Sequence, residues 1–189
     1  MSTPLIILFA IQYLLIILFI ILLAYIGYVM ISFKNVVPYV PTPKKVIKMM
    51  VELADIRDYE KICDLGSGTG RIIIQIAKAH PKNLIVGIER AFVPRTISKI
   101  RLLFHPILRR RIQIVKRDFF NTDLVNFNVA FCFLTPKAMR LLYSQFKAMR
   151  QGSRVVSYMF HFEEFAGFEE HVHHLNAKQS VYLYKRQVH

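Results

Sequence analysis

Asp64-Leu-Gly-Ser-Gly-Thr-Gly-Arg71 is the stretch from which the fold can be read. Glycines at 66, 68 and 70 let the backbone turn tightly and approach a ligand with no Cβ in the way. Lys61-Ile-Cys-Asp-Leu65 reads as a short apolar strand leading into that turn. Residues 71–80 carry Ile72, Ile73, Ile76 and Ala79 at helical spacing. A glycine turn that opens a helix favours negative groups at the helix N-terminus. The next strand, residues 83–89, ends in Glu89, a carboxylate able to accept both hydroxyls of a ribose.

Three ligands could use this layout. A dinucleotide fingerprint needs G-x-G-x-x-G, but here the third glycine falls one residue early and Arg71 holds its position. A nucleoside triphosphate loop needs a Gly-Lys-Ser/Thr end, which is absent from the chain. The D-L-G-S-G-T-G pattern is what remains.

Further along, the spacing predicts a helix over 94–104, stopped by Pro106, and a strand over 111–115 that ends near Asp118. A fourth strand over 125–134, a helix over 136–149 and a fifth strand over 154–160 follow. The tail reads as less regular until a closing strand over 180–185. Strands alternating with helices over short connections imply an α/β domain, a parallel sheet with helices on both faces. The connection between the third and fourth strands is too short for a full helix, so the fold is trimmed there. Ligands in such sheets bind beyond the carboxyl ends of the strands, where strand order reverses. The glycine turn lies at such an end.

Toward the other terminus, residues 5–33 contain no charged side chain. That run exceeds the roughly 20 residues needed to cross a bilayer core. No basic segment precedes it, it is long, and no small-residue cleavage site follows, so an uncleaved anchor is expected over a signal peptide. Its whole circumference is apolar, which disfavours a half-buried core helix. Lys34, Lys44, Lys45 and Lys48 follow it closely, and the positive-inside rule then puts the C-terminal portion in the cytoplasm. The junction Asn35-Val-Val-Pro-Tyr-Val-Pro-Thr-Pro43 holds three prolines and is expected to be extended. Thr42 is the expected N-cap and Pro43 the first residue of a helix to Leu53. Three segments result: an anchor over 1–33, a proline-rich junction over 34–43 and a globular domain over 44–189.

The formal net charge is +14, all of it beyond the anchor. A tethered basic domain is attracted to anionic lipid headgroups, and the tether favours that partner over nucleic acid. Arg109, Arg110 and Arg111 are expected in a solvated turn. Cys63 and Cys132 sit in apolar strands and read as small core residues, forming neither a disulfide framework nor a zinc site. His161, His171, His173 and His174 lack the spacing of a metal site and are expected as exposed loop residues; no metal is expected.

The glycine loop and the two carboxylates resemble the class I S-adenosylmethionine methyltransferases, over roughly residues 61–160. The resemblance implies a Rossmann-like sheet flanked by helices, preceded here by one transmembrane helix, with S-adenosyl-L-methionine as cofactor. It also implies that Asp64, Gly66, Ser67, Gly68 and Gly70 line the methionine part of the cofactor. Glu89 would hold the ribose, and Asp118 with Phe119 would reach the adenine. A narrower resemblance joins the transmembrane helix, the Val-Pro-Tyr-Val-Pro-Thr-Pro junction and the loop. It is to the small membrane-bound lysine methyltransferases that modify ATP synthase subunit c and the adenine nucleotide translocase. That resemblance implies a membrane-protein substrate, and it carries Tyr39 and Thr42 to the methionine end of the site.

The chain departs from that pattern at Thr69, where an acidic residue is common, and at Arg90, where a neutral one is usual. After the fourth strand comes Leu134-Thr135-Pro136, in place of the Asn/Asp-Pro-Pro-aromatic motif of enzymes that methylate nucleobase or glutamine amino groups. Lysine is therefore a permitted acceptor. The chemistry requires in-line alignment and exclusion of water, and the sequence names no general base. Tyr39 and Thr135 are candidates to shape the acceptor channel. Two alternatives stand beside a protein methyltransferase: a small-molecule or lipid methyltransferase, and a non-enzymatic module that binds anionic lipid or RNA.

Overall fold

A computed structural model describes residues 3–33, 40–162 and 166–187. The chain divides into two units, residues 1–39 and 40–189. In the first, helix α1 runs over Thr3–Phe33. Its Pro4–Gly27 portion has the length and apolar composition to cross a membrane, and none of it is buried in the protein. Signal sequences share this profile.

The second unit is built on a seven-stranded sheet. Its strands are β1 (Lys61–Leu65), β2 (Leu84–Ile88), β3 (Ile112–Val115), β4 (Val129–Cys132), β5 (Arg154–Tyr158), β6 (Phe168–Asn176) and β7 (Gln179–Arg186). The order is β3-β2-β1-β4-β5-β7-β6. The first five are parallel, and β7 runs antiparallel to both β5 and β6. This is a Rossmann-like sheet with an antiparallel hairpin at one edge. Its order turns back between β1 and β4, so the loop after β1 occupies the switch point.

The helices of this unit are α2 (Lys44–Leu53), α3 (Arg71–Ala79), α4 (Phe92–Leu103), α5 (Pro106–Arg109) and α6 (Pro136–Lys147). Their buried side chains recur every three or four residues: Val46, Ile47, Met50 and Val51 on α2, and Ile72, Ile73, Ile76 and Ala77 on α3. These pack with Ile62, Ile85, Val129, Phe131, Val156 and Leu183 of the sheet in one core. Burying each such side chain is worth about 1.5–3 kcal/mol, which makes this core the principal source of cohesion.

Several expectations are corrected. The α2 helix begins at Lys44, with Pro43 as its N-cap; Thr42 is buried one residue before that position. Pro43 has no N–H to lose, and its carbonyl accepts from the Ile47 N–H at 3.0 Å. Pro106 does stop α4, but it also opens α5. Arg111 does not sit in a solvated turn: its guanidinium donates to the Ala77 and His80 carbonyls, 2.9 Å each, at the end of α3. The fourth strand starts at Val129, because Leu124 and Phe127 are buried from a turn. The tail is more regular than expected. It forms the β6–β7 hairpin, which makes the sheet mixed and places His171, His173 and His174 on a strand.

Candidate active site

The turn after β1 is held to the end of β2 by backbone bonds. The N–H groups of Gly66 and Ser67 both donate to the Ile88 carbonyl, at 2.9 and 3.0 Å. Gly70 closes the turn by donating to the Ser67 carbonyl at 2.9 Å. Gly66, Gly68 and Gly70 have φ of 74, 53 and 78°, the left-handed region that an L side chain adopts only at a cost. At Gly70 space is also limiting, since a Cβ would stand 2.3 Å from Ser98 Oγ on α4. The loop is thus seated between β2 and α4. Arg101 of α4 adds a clamp by donating to the carbonyl and hydroxyl oxygens of Thr69, at 3.1 and 3.0 Å.

Glu89 follows β2 directly and braces the turn. One carboxylate oxygen accepts from the Gly68 N–H at 2.9 Å and the other from the Ala91 N–H at 2.7 Å. Each oxygen keeps a second lone pair for a hydroxyl. Asp64, on β1, is buried, and its Oδ2 has no hydrogen-bond partner among the described residues. Burial, with nearby Glu89 adding to it, pushes the Asp64 carboxyl up to about 8.

Asp118 caps a short 3₁₀ turn, Phe119–Asn121, by accepting from the Phe120 N–H at 3.1 Å. Its other oxygen accepts from Arg90 at 2.9 Å. The departure at Arg90 is therefore an ion pair joining the ends of β2 and β3. The Phe119 ring lies beside Gly66, where an added Cβ would stand 3.9 Å from its edge and 3.5 Å from Leu134. Thr135 caps α6 with its hydroxyl oxygen, 3.4 Å from the Ala138 N–H. The structure therefore brings Asp64, the glycine turn, Ser67, Glu89, Phe119 and Leu134 to one end of the sheet. Tyr39 lies outside the described residues. Ser98 and Arg101 were not singled out by sequence reading, since two residues on a helix carry no motif, and Leu134, two residues beyond β4, entered it only as the neighbour of Thr135 and Pro136.

The donor and acceptor set fits S-adenosyl-L-methionine. A buried carboxylate oxygen without a partner suits a cationic group, and a braced carboxylate with spare lone pairs suits a diol. When bound, that cofactor supplies an activated methyl on a sulfonium. The residues of this chain have to hold it, orient it and keep water out.

Among the histidines, His171 pairs with Glu169 at 2.9 Å and His174 with the Ser180 hydroxyl at 2.9 Å. No group of three metal-capable side chains forms among the described residues.

Comparison with known proteins agrees with this geometry. Residues 64–168 match the model of the ANTKMT methyltransferase domain. A protein-lysine N-methyltransferase from Saccharolobus islandicus is 35% identical over 157 residues, 78% of this chain and 92% of that protein. An H3 lysine-79 specific histone-lysine N-methyltransferase from Drosophila melanogaster is 27% identical over 135 residues, 63% of this chain and 7% of that one. Among solved structures, an RNA methyltransferase from Salinibacter ruber, crystallised with S-adenosyl-L-homocysteine, superposes with a TM-score of 0.72 at 28% identity. That match covers 79% of this chain and 95% of the other. A glycine turn at the switch point, a carboxylate beyond each of the next two strands and a family match across the site lead to one conclusion: the chain belongs to the ANTKMT methyltransferase-domain family and is a class I S-adenosylmethionine-dependent methyltransferase.

Proposed function

We propose that the protein is a membrane-tethered protein-lysine N-methyltransferase. The observation that carries this reading is the similarity to a protein-lysine N-methyltransferase along nearly the whole of that relative. Helix α1 supports the tether, as it is long and apolar enough to cross a bilayer. The lysines that follow it support a cytoplasmic catalytic domain. A tether raises the effective concentration of membrane-embedded substrates, so a membrane protein is the proposed acceptor.

In this reading Asp64 holds the ammonium of the cofactor's methionine, and Gly66, Ser67, Gly68 and Gly70 line that end with Thr42. Glu89 holds the ribose. Asp118 and Phe119 border the adenine, with the Phe119 ring presenting a face or edge to the purine. Thr135, the N-cap of α6, and Tyr39 shape the acceptor channel. A lysine acceptor must arrive neutral, and desolvation in the channel favours loss of its proton.

Likeness to an RNA methyltransferase structure and the net charge of +14 favour a second reading, methyl transfer to RNA. One experiment separates the two. Membranes containing the full chain are incubated with methyl-labelled S-adenosylmethionine, and protein, lipid and RNA fractions are counted. Label on lysine of a membrane protein, lost in Asp64→Ala, is expected. Label confined to RNA or lipid rejects the lysine reading.

A further inference from the structure

The outward face of α4 is apolar where a soluble helix would be polar. The inward positions are Pro94, Arg95, Ser98 and Leu102. Opposite them, Val93, Ile97, Ile100 and Phe104 recur at spacings of four, three and four and form one exposed stripe. Phe92 and Leu103 widen it, and Ile107 of α5 prolongs it. Exposure is extreme for residues of this kind: 70% for Phe92, 78% for Phe104 and 77% for Ile107. Single exposed apolar residues need no explanation, but a contiguous array of seven marks a contact surface.

Charge identifies the partner. Residues 90–117 contain nine Lys or Arg and no Asp or Glu. On α4, Lys99 flanks one side of the stripe and Arg101 the other. Phe104 also lines a groove whose other walls include Lys44, Lys48, Arg71, Lys78 and His105. An apolar band rimmed by cations is the pattern of a helix that lies in the interface of a bilayer, its apolar side chains among the acyl chains and its cations on phosphates. RNA would use the cations but leaves aliphatic side chains such as Ile97, Ile100 and Ile107 without a role. The groove wall at Lys44 and Lys48 is also close to α1 along the chain. Ten residues separate Phe33 from Lys44, a reach of about 35 Å when extended.

We infer that α4 and α5 form a second, peripheral membrane contact, with the outward face of α4 seated in an anionic phospholipid surface. This deepens the membrane half of the proposed function and is independent of the acceptor. Seating would fix the orientation of the catalytic domain at the bilayer, which a single-point tether alone does not do. It would also place the contact next to the site, since Ser98 and Arg101 of the same helix touch the glycine turn.

The test uses the full chain reconstituted in vesicles containing phosphatidylglycerol and brominated lipid. Cys63 and Cys132 are free and buried, so a fluorophore attached to Ile100→Cys reports the stripe and one on Lys178→Cys reports the β6–β7 turn, at the far edge of the sheet. Flotation with the vesicles reads the tether separately, and methyl transfer is assayed in parallel. Quenching at position 100 at least about twofold above that at 178 is expected, reduced when Lys99→Glu and Arg109→Glu are combined. Equal quenching at the two positions in protein that floats overturns the docking surface while leaving the tether and the enzyme standing. Shielding of position 100 that requires added RNA, or that follows protein concentration without lipid, overturns it as well.

Discussion

At the amino ends of the strands, polar side chains meet partners within the protein. Arg154, opening β5, forms a buried ion pair with Glu60 and donates to the Asp55 carbonyl at 2.6 Å. Asn128, just before β4, accepts from the Lys61 N–H at 2.9 Å, and Asn83, just before β2, donates to the Arg57 and Glu60 carbonyls. At the carboxyl ends the pattern inverts. Asp64 is as deeply buried as Arg154, yet one of its oxygens has no partner among the described residues, and three glycines hold left-handed backbone beside it. Neither rim is free of unmet atoms, since Asn83 Oδ1 and Arg154 Nε also have no partner among the described residues, but the amino-rim side chains are each tied to the protein by other bonds. Asp55 and Tyr59, before β1, also have positive φ, so what sets the carboxyl rim apart is a buried carboxylate with no cation paired to it among the described residues, beside three glycines, where the buried charge of the opposite rim is paired.

Titrating Asp64 should give the largest effect. Its carboxyl has an ordinary value of 3.8 and stands at about 8 in the fold. Between those values the folded protein keeps a proton that the unfolded chain has released. The stabilisation is therefore full below 3.8 and lost as pH rises toward about 8. The loss is on the order of 5 kcal/mol. Asp64→Asn should remove it, seen as a flatter dependence of the urea midpoint on pH for the full chain in detergent. Parallel curves for the two proteins would dismiss the account.

At the opposite rim, Glu60→Ala leaves Arg154 charged and buried and should cost about 3–5 kcal/mol, measured in the same unfolding experiment. Cofactor affinity, followed by calorimetry under folding conditions, should be unchanged within about twofold, because no part of this pair reaches the glycine turn. A large fall in affinity would erase the distinction between the rims. The smallest stability change belongs to Arg90→Ala. That pair with Asp118 has one partner 63% exposed, so its loss should alter stability by less than about 1 kcal/mol. The informative readout is cofactor affinity, which should shift a few-fold if Asp118 borders the adenine.

The carboxyl rim was largely legible in the sequence, because a loop that needs positive φ at three positions can be written only with glycine or at a cost. β1, α3 and β2 followed from it with errors of a residue or so at their ends. The amino rim was not legible. Arg154 lies 94 residues from Glu60 and 99 from Asp55, and nothing local announces that they meet. β6 was missed for another reason. It is an edge strand whose residues are mostly part-exposed, so Phe168, Val172 and Leu175 stand among Glu and His without the alternation that betrays a half-buried strand. The turn before β4 misled in the opposite sense, since Leu124 and Phe127 are buried from irregular backbone and imitate a strand. In α4 the apolar pattern was visible, but the side that faces outward could be known only from its packing.

The two thiols are sealed within neighbouring central strands, Cys63 beside Ala130 and Cys132 beside Leu65. Burial pushes Cys132 up to about 12, so it carries almost no thiolate at neutral pH. A thiol reagent can reach either one only when the middle of the sheet parts. The protein therefore carries its own clock for global opening: the rate at which these cysteines are modified counts excursions of the whole domain and ignores fraying at its edges.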